Sequence, residues 1–418
     1  MRWGNKIVAH QQNDEHVTLT IHTPEGEYQH ISHWVVAADG GRSPIREGMK
    51  LRMEGASYEG RFVIADIRIK LDYPTERLAF FSPDWNPGNT ILMHREPDNI
   101  WRFDYQLDPK IAPEDALKPE NLNKAVNDQL KMIGQDHLEW EMDWSTVYSA
   151  RALTLDNYVH NRTIFVGDAA HLLPIFGVRG ANTGFQDAQD LAWKLAAVVN
   201  GWATEKLLQS YSFDRVGAAR EIIAEAGKST RFMAPPTAGY RLLRNAVLSL
   251  SLEHEFVRPL YHWRTSRPHA YTHSPLNSQN DDNALMHELT ENGALISNIK
   301  FADGSFLYDA ISGKFSVIIF TQNGQVPENL ISEINALKQF GIPAQLIALA
   351  IDDQKVKQAD ISFTIDPNIV KDCFFADVNT IYLVRPGHHI NGRWLNYREN
   401  AITETFHQFT QVAEGVNA

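Results

Sequence analysis

Cysteine is almost absent from this chain of 418 residues: Cys373 stands alone. A single thiol excludes an internal disulfide and a Cys-x-x-Cys redox pair. Long apolar runs are missing too, so no membrane span is expected. No signal peptide is apparent, which makes the cytoplasm the expected compartment. There is no long basic run and the formal charge is −12, so nucleic acid is not an expected partner. The 17 histidines scatter. His388-His389 and the His22, His30 and His33 group lack a carboxylate or thiolate at ligand spacing, so no metal site is expected. What is present is an ordinary globular balance, 43% apolar and 22% charged, in a chain long enough for two or three domains.

The most informative stretch is Arg162-Thr-Ile-Phe-Val-Gly-Asp-Ala-Ala-His171. It reads as a buried strand ending in Gly167-Asp168. Pro174 follows, then Gly177-Val-Arg-Gly-Ala-Asn-Thr-Gly184. Beyond it Phe185, Ala188, Leu191, Ala192, Leu195, Ala196 and Val199 recur at helical spacing. A strand, an acidic residue, a Gly-rich loop and a helix N-terminus together suit a ribityl or ribose hydroxyl, with backbone N–H groups facing an anion. Upstream, Trp34-Val-Val-Ala-Ala-Asp-Gly-Gly-Arg-Ser-Pro-Ile-Arg46 is a short apolar strand ending in Asp39-Gly40, then Ser43 and Arg46. Glycine permits close backbone approach to a phosphate, and arginine supplies a forked donor.

These two stretches, in this order, resemble motifs of the class A flavoprotein aromatic hydroxylases, the para-hydroxybenzoate hydroxylase-like FAD-dependent monooxygenases. The resemblance implies that Asp168, after Gly167, holds a ribityl hydroxyl of FAD. It places Pro174, Gly180, Ala181, Asn182 and Thr183 against the flavin, and Ile175 and Phe176, with Pro174, in the pocket beside it. It assigns Asp39, Gly40, Ser43 and Arg46 to the pyrophosphate region and the path of the nicotinamide cofactor. Tyr211-Ser-Phe-Asp-Arg215 resembles the family's Tyr-x-x-Glu-Arg, with Asp214 for Glu. No catalytic side chain is assigned, since the flavin performs the chemistry. His171 is expected to cap the turn rather than act as a base.

Such enzymes open with a strand, a Gly-x-Gly-x-x-Gly turn and a helix that bind the ADP half of FAD. That pattern occurs nowhere in this sequence. The expectation is therefore a chain lacking the family's first nucleotide-binding unit, through a truncated gene, a late start or a cloned fragment.

The expected fold class is α/β with α+β elements. Residues 1–50 read as a remnant of the FAD-binding domain, with a hairpin turning at Pro24-Glu-Gly26. Residues 51–150 read as an antiparallel substrate-binding sheet with one helix near Lys118–Gly134. Residues 151–275 carry the second flavin motif and further helices, over 204–233 and 241–252. Pro268 to Asp282 reads as a linker. Residues 284–418 resemble the thioredoxin-like C-terminal domain of the phenol hydroxylase and 3-(3-hydroxyphenyl)propionate hydroxylase branch. Expected there are strands at 315–320, 345–351 and 380–384, a helix at 329–340 and a hairpin at 385–394. Without cysteines after its first strand it is a packing or dimerisation element, and a homodimer is the candidate assembly.

The activity implied is hydroxylation of a small phenolic substrate with FAD, NAD(P)H and O2, through a flavin hydroperoxide. Arg61, Arg68, Trp101, Tyr105 and His94 are candidates for holding the phenolate or a carboxylate. Two alternatives stand beside it: a hydroxylase of polyketide aromatics, and a non-catalytic remnant that binds no FAD.

Overall fold

The computed structural model describes residues 1–174, 179–260, 268–311, 313–351 and 355–407. Four sheets organise them. The first is an antiparallel meander of Lys6–Gln12, Val17–Thr23 and Gly26–Ser32. Val17 and Leu19 are buried on one face of this meander, as its alternating sequence dictates.

The second sheet is small and decides where the site lies. Val35–Ala37 runs parallel to Thr163–Phe165, with Thr163 opposite Val35 and Phe165 opposite Ala37. Both strands are bounded by special backbone: Gly40 follows the first at φ +82° and Gly167 the second at φ +57°. Two segments more than 120 residues apart thus end at the same edge. Ligands of α/β sheets gather at the carboxyl ends of parallel strands.

The third sheet has six antiparallel strands in the order His171–Leu172, Trp140–Thr154, Glu54–Ile69, Ile100–Leu107, Thr90–Arg95 and Leu78–Phe81. One face carries Ala65, Ile67, Met93, Trp101 and Phe103, which pack with Val126 and Leu130 of helix Pro119–Met132. That helix buries Leu122, Ala125, Val126, Gln129 and Leu130, an i, i+3, i+4, i+7, i+8 stripe. The other face is polar and turns toward the edge where the two parallel strands end.

Helices Gly180–Val199 and Lys206–Met233 pack against each other beneath that edge. Tyr211 of the second donates its hydroxyl to the Phe165 carbonyl at 2.8 Å, tying the helix to the motif strand. Helix Ala238–Leu250 follows.

The C-terminal sheet has five strands. Phe315–Thr321, Ala344–Ala350 and Ile361–Thr364 are parallel, and Ile381–Val384 and Ile390–Trp394 are antiparallel additions. The fold as a whole is α/β. The two central strands are buried at every residue, because helices cover both faces. Helix Glu328–Gln339 supplies Leu330, Ile334 and Leu337 on one side, and helix Pro367–Phe374 supplies Val370 and Phe374 on the other. Sequence patterning misses the short strand at 361–364, which is only half-buried at the sheet edge and lacks clear alternation.

The C-terminal core is not self-contained. Ala197, Ala203 and Leu207 belong to the same apolar cluster as Phe315 and Leu346, with Trp193 and Trp202 packed on it. Trp193 meets Phe315 edge-on at 5.4 Å. The segment from Pro268 to Asp282, expected as a linker, is packed rather than loose. Tyr271, Ser274, Leu276, Asn277 and Ser278 are buried, and Ser278 N–H donates to the Asn391 carbonyl at 2.7 Å. Its polar composition serves hydrogen bonds inside the protein instead of solvation.

Candidate functional site

The ends of the two parallel strands are held together by Arg46. Ser43 caps helix Pro44–Gly48 by accepting from Arg46 N–H at 3.0 Å, and Asp39 accepts from Ile45 N–H at 3.2 Å. The Arg46 guanidinium then donates to the Gly41 carbonyl at 2.7 Å and to the Ala169 carbonyl at 2.9 Å. Arg46 is therefore buried and occupied as a staple between the Asp-Gly turn and the Gly-Asp turn. Burial lowers its pKa, against the opposing charges of Glu47 and Asp39. Its forked donor reads equally as a phosphate ligand in sequence, and the structure directs it to backbone carbonyls.

Gly167 and Gly184 make the second close approach. A Cβ on Gly184 would lie 3.4 Å from the Gly167 Cα, so the turn presses on the first turn of helix Gly180–Val199. Gly167 N–H donates to Asp187 Oδ2 at 2.9 Å. The same oxygen accepts from His171 Nε2 at 2.7 Å, and Asp187 Oδ1 accepts from Arg215 Nε at 2.6 Å. Arg215 also donates to the Tyr271 hydroxyl at 2.8 Å and to the Thr183 carbonyl at 3.2 Å. Burial raises the Asp187 pKa, but the His171 hydrogen bond and the Arg215 charge outweigh it and the net shift is downward. His171 is fully buried in this network and serves as a structural hydrogen-bonding group. Gly167→Ala places a side chain at φ +57°, so the variant is expected to lose about 1–2 kcal/mol. A denaturant midpoint unchanged from wild type would refute that cost.

The turn opens into a cavity of about 720 Å³. One wall is Gly41, Arg42, Asp168, Pro174, Gly180, Ala181 and Asn182. The first backbone bond of the helix here runs from Thr183 N–H to the Arg179 carbonyl at 2.8 Å. The N–H groups of Gly180, Ala181 and Asn182 are left outside the helix ladder, with the positive end of its dipole. Asp168 is exposed, and its carboxylate accepts no hydrogen bond among the described residues. Asp39, Gly40, Ser43, Arg46, Gly167 and Thr183 do not line the cavity; Ser43, Arg46 and Thr183 are buried and Asp39 is exposed. Ile175 and Phe176 lie outside the described residues.

The opposite wall is the polar face of the six-stranded sheet: Ile64, Arg77, His94, Glu96, Arg102, Asp104, Tyr148, Ser149 and Arg151. Strand alternation explains the membership. In Ile100–Leu107 the side chains of Trp101 and Phe103 go into the core, while Arg102 and Asp104 face the cavity. Of the five residues proposed from sequence for this wall, His94 lines the cavity. Trp101 and Tyr105 belong to apolar clusters. Arg61 donates to the Pro109 and Ile111 carbonyls, and Arg68 to the Asp98 carbonyl and Asp143. The period-two pattern of Trp101-Arg-Phe-Asp-Tyr105 is the signal that points to Arg102 and Asp104.

Arg102 and Asp66 form a forked pair, 2.7 Å at both bonds. Arg102 also reaches Glu96 at 3.4 Å, and His94 meets Glu96 at 3.2 Å. Burial, and then the nearby Arg77 charge, lowers the His94 pKa. Tyr148 donates its hydroxyl to the Leu173 carbonyl at 3.2 Å. Four further arginines, Arg42, Arg77, Arg151 and Arg179, line the cavity and form no ion pair within 4 Å among the described residues. The cavity is thus rich in cationic charge within a chain of net charge −12. A second cavity of about 600 Å³ lies between helix Lys206–Met233 and residues 269–274; it is lined by Ser212, Phe213 and Asp214 of the Tyr211–Arg215 motif and by none of the residues of the two flavin motifs.

Comparison with known proteins shows what this chain is similar to. A family model described as an FAD binding domain matches residues 1–226. The chain is 30% identical over 253 residues to a 3-(3-hydroxy-phenyl)propionate/3-hydroxycinnamic acid hydroxylase of Burkholderia cenocepacia, covering 60% of this chain and 45% of that protein. A similarly named protein of Shigella sonnei is 30% identical over 247 residues, 59% of this chain and 43% of the relative. The chain thus spans less than half the length of these curated relatives. Among solved structures, the flavin-dependent monooxygenase PieE, in complex with FAD and substrate, superposes with a TM-score of 0.71 at 18% identity, covering 97% of this chain and 76% of PieE. Aklavinone-11 hydroxylase, with FAD and aklavinone, gives 0.70 at 20% identity, over 97% and 73% of the two chains. With the family model spanning more than half of its residues, both motifs at one sheet edge and the same fold in flavin-dependent monooxygenases, the chain belongs to the FAD-binding family of the class A flavoprotein aromatic hydroxylases.

Proposed function

We propose that this chain forms the flavin-ring and substrate side of an FAD-dependent, NAD(P)H-using monooxygenase that hydroxylates a phenolic ring. The observation that carries the reading is the continuous cavity of about 720 Å³. It joins the Asp168 and Gly180–Asn182 wall to the polar face of the sheet. The residues fit the cofactor. A Cβ on Gly180 would meet nothing within 4 Å among the described residues, so the backbone there is open to close approach. Asp168, whose carboxylate accepts no hydrogen bond among the described residues, is placed to accept from a ribityl hydroxyl. The helix N-terminus favours negative charge at the pyrimidine edge of a reduced flavin.

When bound, FAD supplies the redox chemistry, taking hydride from NAD(P)H and passing one oxygen atom of O2 to the ring. The protein's share is to place the ring against the sheet wall, to keep water out, and to hold the hydroxyl that makes the ring electron-rich. Pro174 and Leu173 close the cavity from the flavin side, and Ile64 and Val147 give it apolar floor.

The test is flavin binding itself. Titrated with riboflavin, which carries the ribityl chain and the ring alone, the protein is expected to quench flavin fluorescence saturably. Asp168→Ala should weaken that binding by about 1.5–3 kcal/mol, the contribution of a hydrogen bond to a charged group. If neither riboflavin nor FAD binds the wild-type chain, the reading is wrong.

A further inference from the structure

Asp104 is the odd group in this cavity. It is 3% exposed, yet it faces the cavity rather than the core. Its Oδ1 is buried without a hydrogen-bond partner among the described residues. Its neighbours across the sheet are Ile64 and Leu92, neither of which can donate from its side chain. Of the cations beside it, Arg102 is forked onto Asp66, and the charge of Arg77 acts on it without a hydrogen bond among the described residues. A buried carboxylate with an unused acceptor costs stability. In a sheet wall where every neighbouring position alternates correctly, such a cost marks a group kept for what the ligand brings.

We propose that Asp104 is a catalytic residue that accepts the substrate's phenolic O–H, so that the site selects a free hydroxyl over an O-alkylated or unsubstituted ring. This rests on the reading of the cavity as the aromatic site. The new C–O bond forms on the ring at the expense of the O–O bond of the O2-derived oxygen that bound FAD and NAD(P)H would supply, the second oxygen atom leaving with the electron pair as hydroxide; in the same step the phenolic O–H bond breaks and its proton passes to the Asp104 carboxylate. The electron pair stays on the phenolic oxygen and conjugates toward the carbon being hydroxylated. When the ring regains aromaticity its displaced ring proton joins the released hydroxide as water, and Asp104 returns its proton to the oxygen. Charge balance is local: one negative charge moves from carboxylate to phenolate. Arg77, Arg102 and His94 remain beside it throughout.

Burial raises the Asp104 pKa to about 6, against the opposing charges of Arg102 and Arg77. Asp66 and Glu96 add to the rise from the flanking strands. Across the cavity Arg42, Arg151, Arg179, Tyr148 and Asp168 also face the space. Asp104 therefore accepts above about pH 6 and loses that capacity below it. The folded-state pKa lies above that of a free aspartate. Its contribution to stability is present below the free value and lost as pH rises through about 6. Asparagine mimics the protonated form, so Asp104→Asn is expected to melt no lower than wild type at pH 8.

The experiment titrates the FAD-supplemented protein with phenol and with anisole, by calorimetry, at pH 8 and pH 5. Wild type should prefer phenol by about tenfold at pH 8, the scale of a hydrogen bond to a charged acceptor. The preference should shrink at pH 5. Asp104→Asn should abolish both the preference and its pH dependence, and Asp104→Glu should restore part of each. An Asn variant that keeps the preference, or a wild type that binds both rings equally, overturns the role of Asp104 while leaving the cavity as an aromatic site. A wild type that binds riboflavin but neither ring overturns both the substrate reading and this inference.

Discussion

Asp187→Ala is expected to be the most damaging single change near the site. The substitution strips Arg215, His171 and the Gly167 N–H of one shared acceptor. Arg215 is 1% exposed, so its charge is left without an anion in the interior. Breaking a buried pair by removing one partner costs about 3–5 kcal/mol, against a total stability of about 5–15 kcal/mol for a typical domain. The Gly167 turn also loses its anchor to the helix, so riboflavin binding should fall with stability. Asp187→Asn keeps the shape and one acceptor oxygen and should fall between. The pH dependence has a definite sign. The Asp187 pKa is lowered in the folded protein, so its contribution is present above the ordinary aspartate range and fades as pH falls through the folded value. The gap between wild type and Asp187→Ala should therefore narrow in acid. Denaturant unfolding within 1 kcal/mol of wild type at neutral pH would falsify this account.

Lys194→Met is the second large effect expected, and its pH dependence runs the same way for a different reason. Lys194 Nζ lies 2.7 Å from Asp190 Oδ2 and 3.2 Å from Asp214 Oδ2, with all three groups buried. Asp214 Oδ2 also accepts from Ser274 at 3.1 Å and from Arg385 Nη1 at 3.4 Å. Two anions and two cations thus balance. Removing Lys194 leaves two carboxylates facing one arginine, at a cost of about 3–5 kcal/mol. Burial already raises the Asp190 pKa, partly offset by Lys194. The contribution of a raised carboxyl is present below the free value and is lost as pH rises through the folded one. Without Lys194 that loss should deepen, so the variant should lie far below wild type at pH 8 and closer to it at pH 5. Equal destabilisation at both values would show that packing of the lysine stem, not its charge, matters.

Sequence reads parts of this protein well for a physical reason. Gly167, Asp168 and Gly180–Asn182 are backbone-special residues within one short run, and local rules are enough to place them at a turn and a helix start. Asp39 and Gly40 are legible in the same way. Their meeting with Gly167 at one edge is not, because it depends on the parallel pairing of Val35–Ala37 with Thr163–Phe165. The sheet wall is harder still. Trp101 and Tyr105 look like ligand holders because they are aromatic, yet alternation sends Trp101 inward and leaves Arg102 and Asp104 at the cavity. Arg46 shows the reverse case, where the right residue is found but its partners are carbonyls 5 and 123 positions away. Nothing local announces that Asp214 and Arg385, 171 residues apart, share a buried pair.

That pair, with Trp193 and Trp202 set against Phe315, has a consequence for recombination. A crossover in the 268–282 segment looks harmless on sequence, since it is polar and lies between two modules. A chimera joined there would carry Arg385 and Phe315 from one parent and Asp214, Lys194, Trp193 and Trp202 from another. The incoming module would meet a foreign apolar seat and an unbalanced charge. Exchange of the C-terminal module among relatives should succeed only when these helix positions travel with it, so the heritable unit of this protein runs back at least to Trp193.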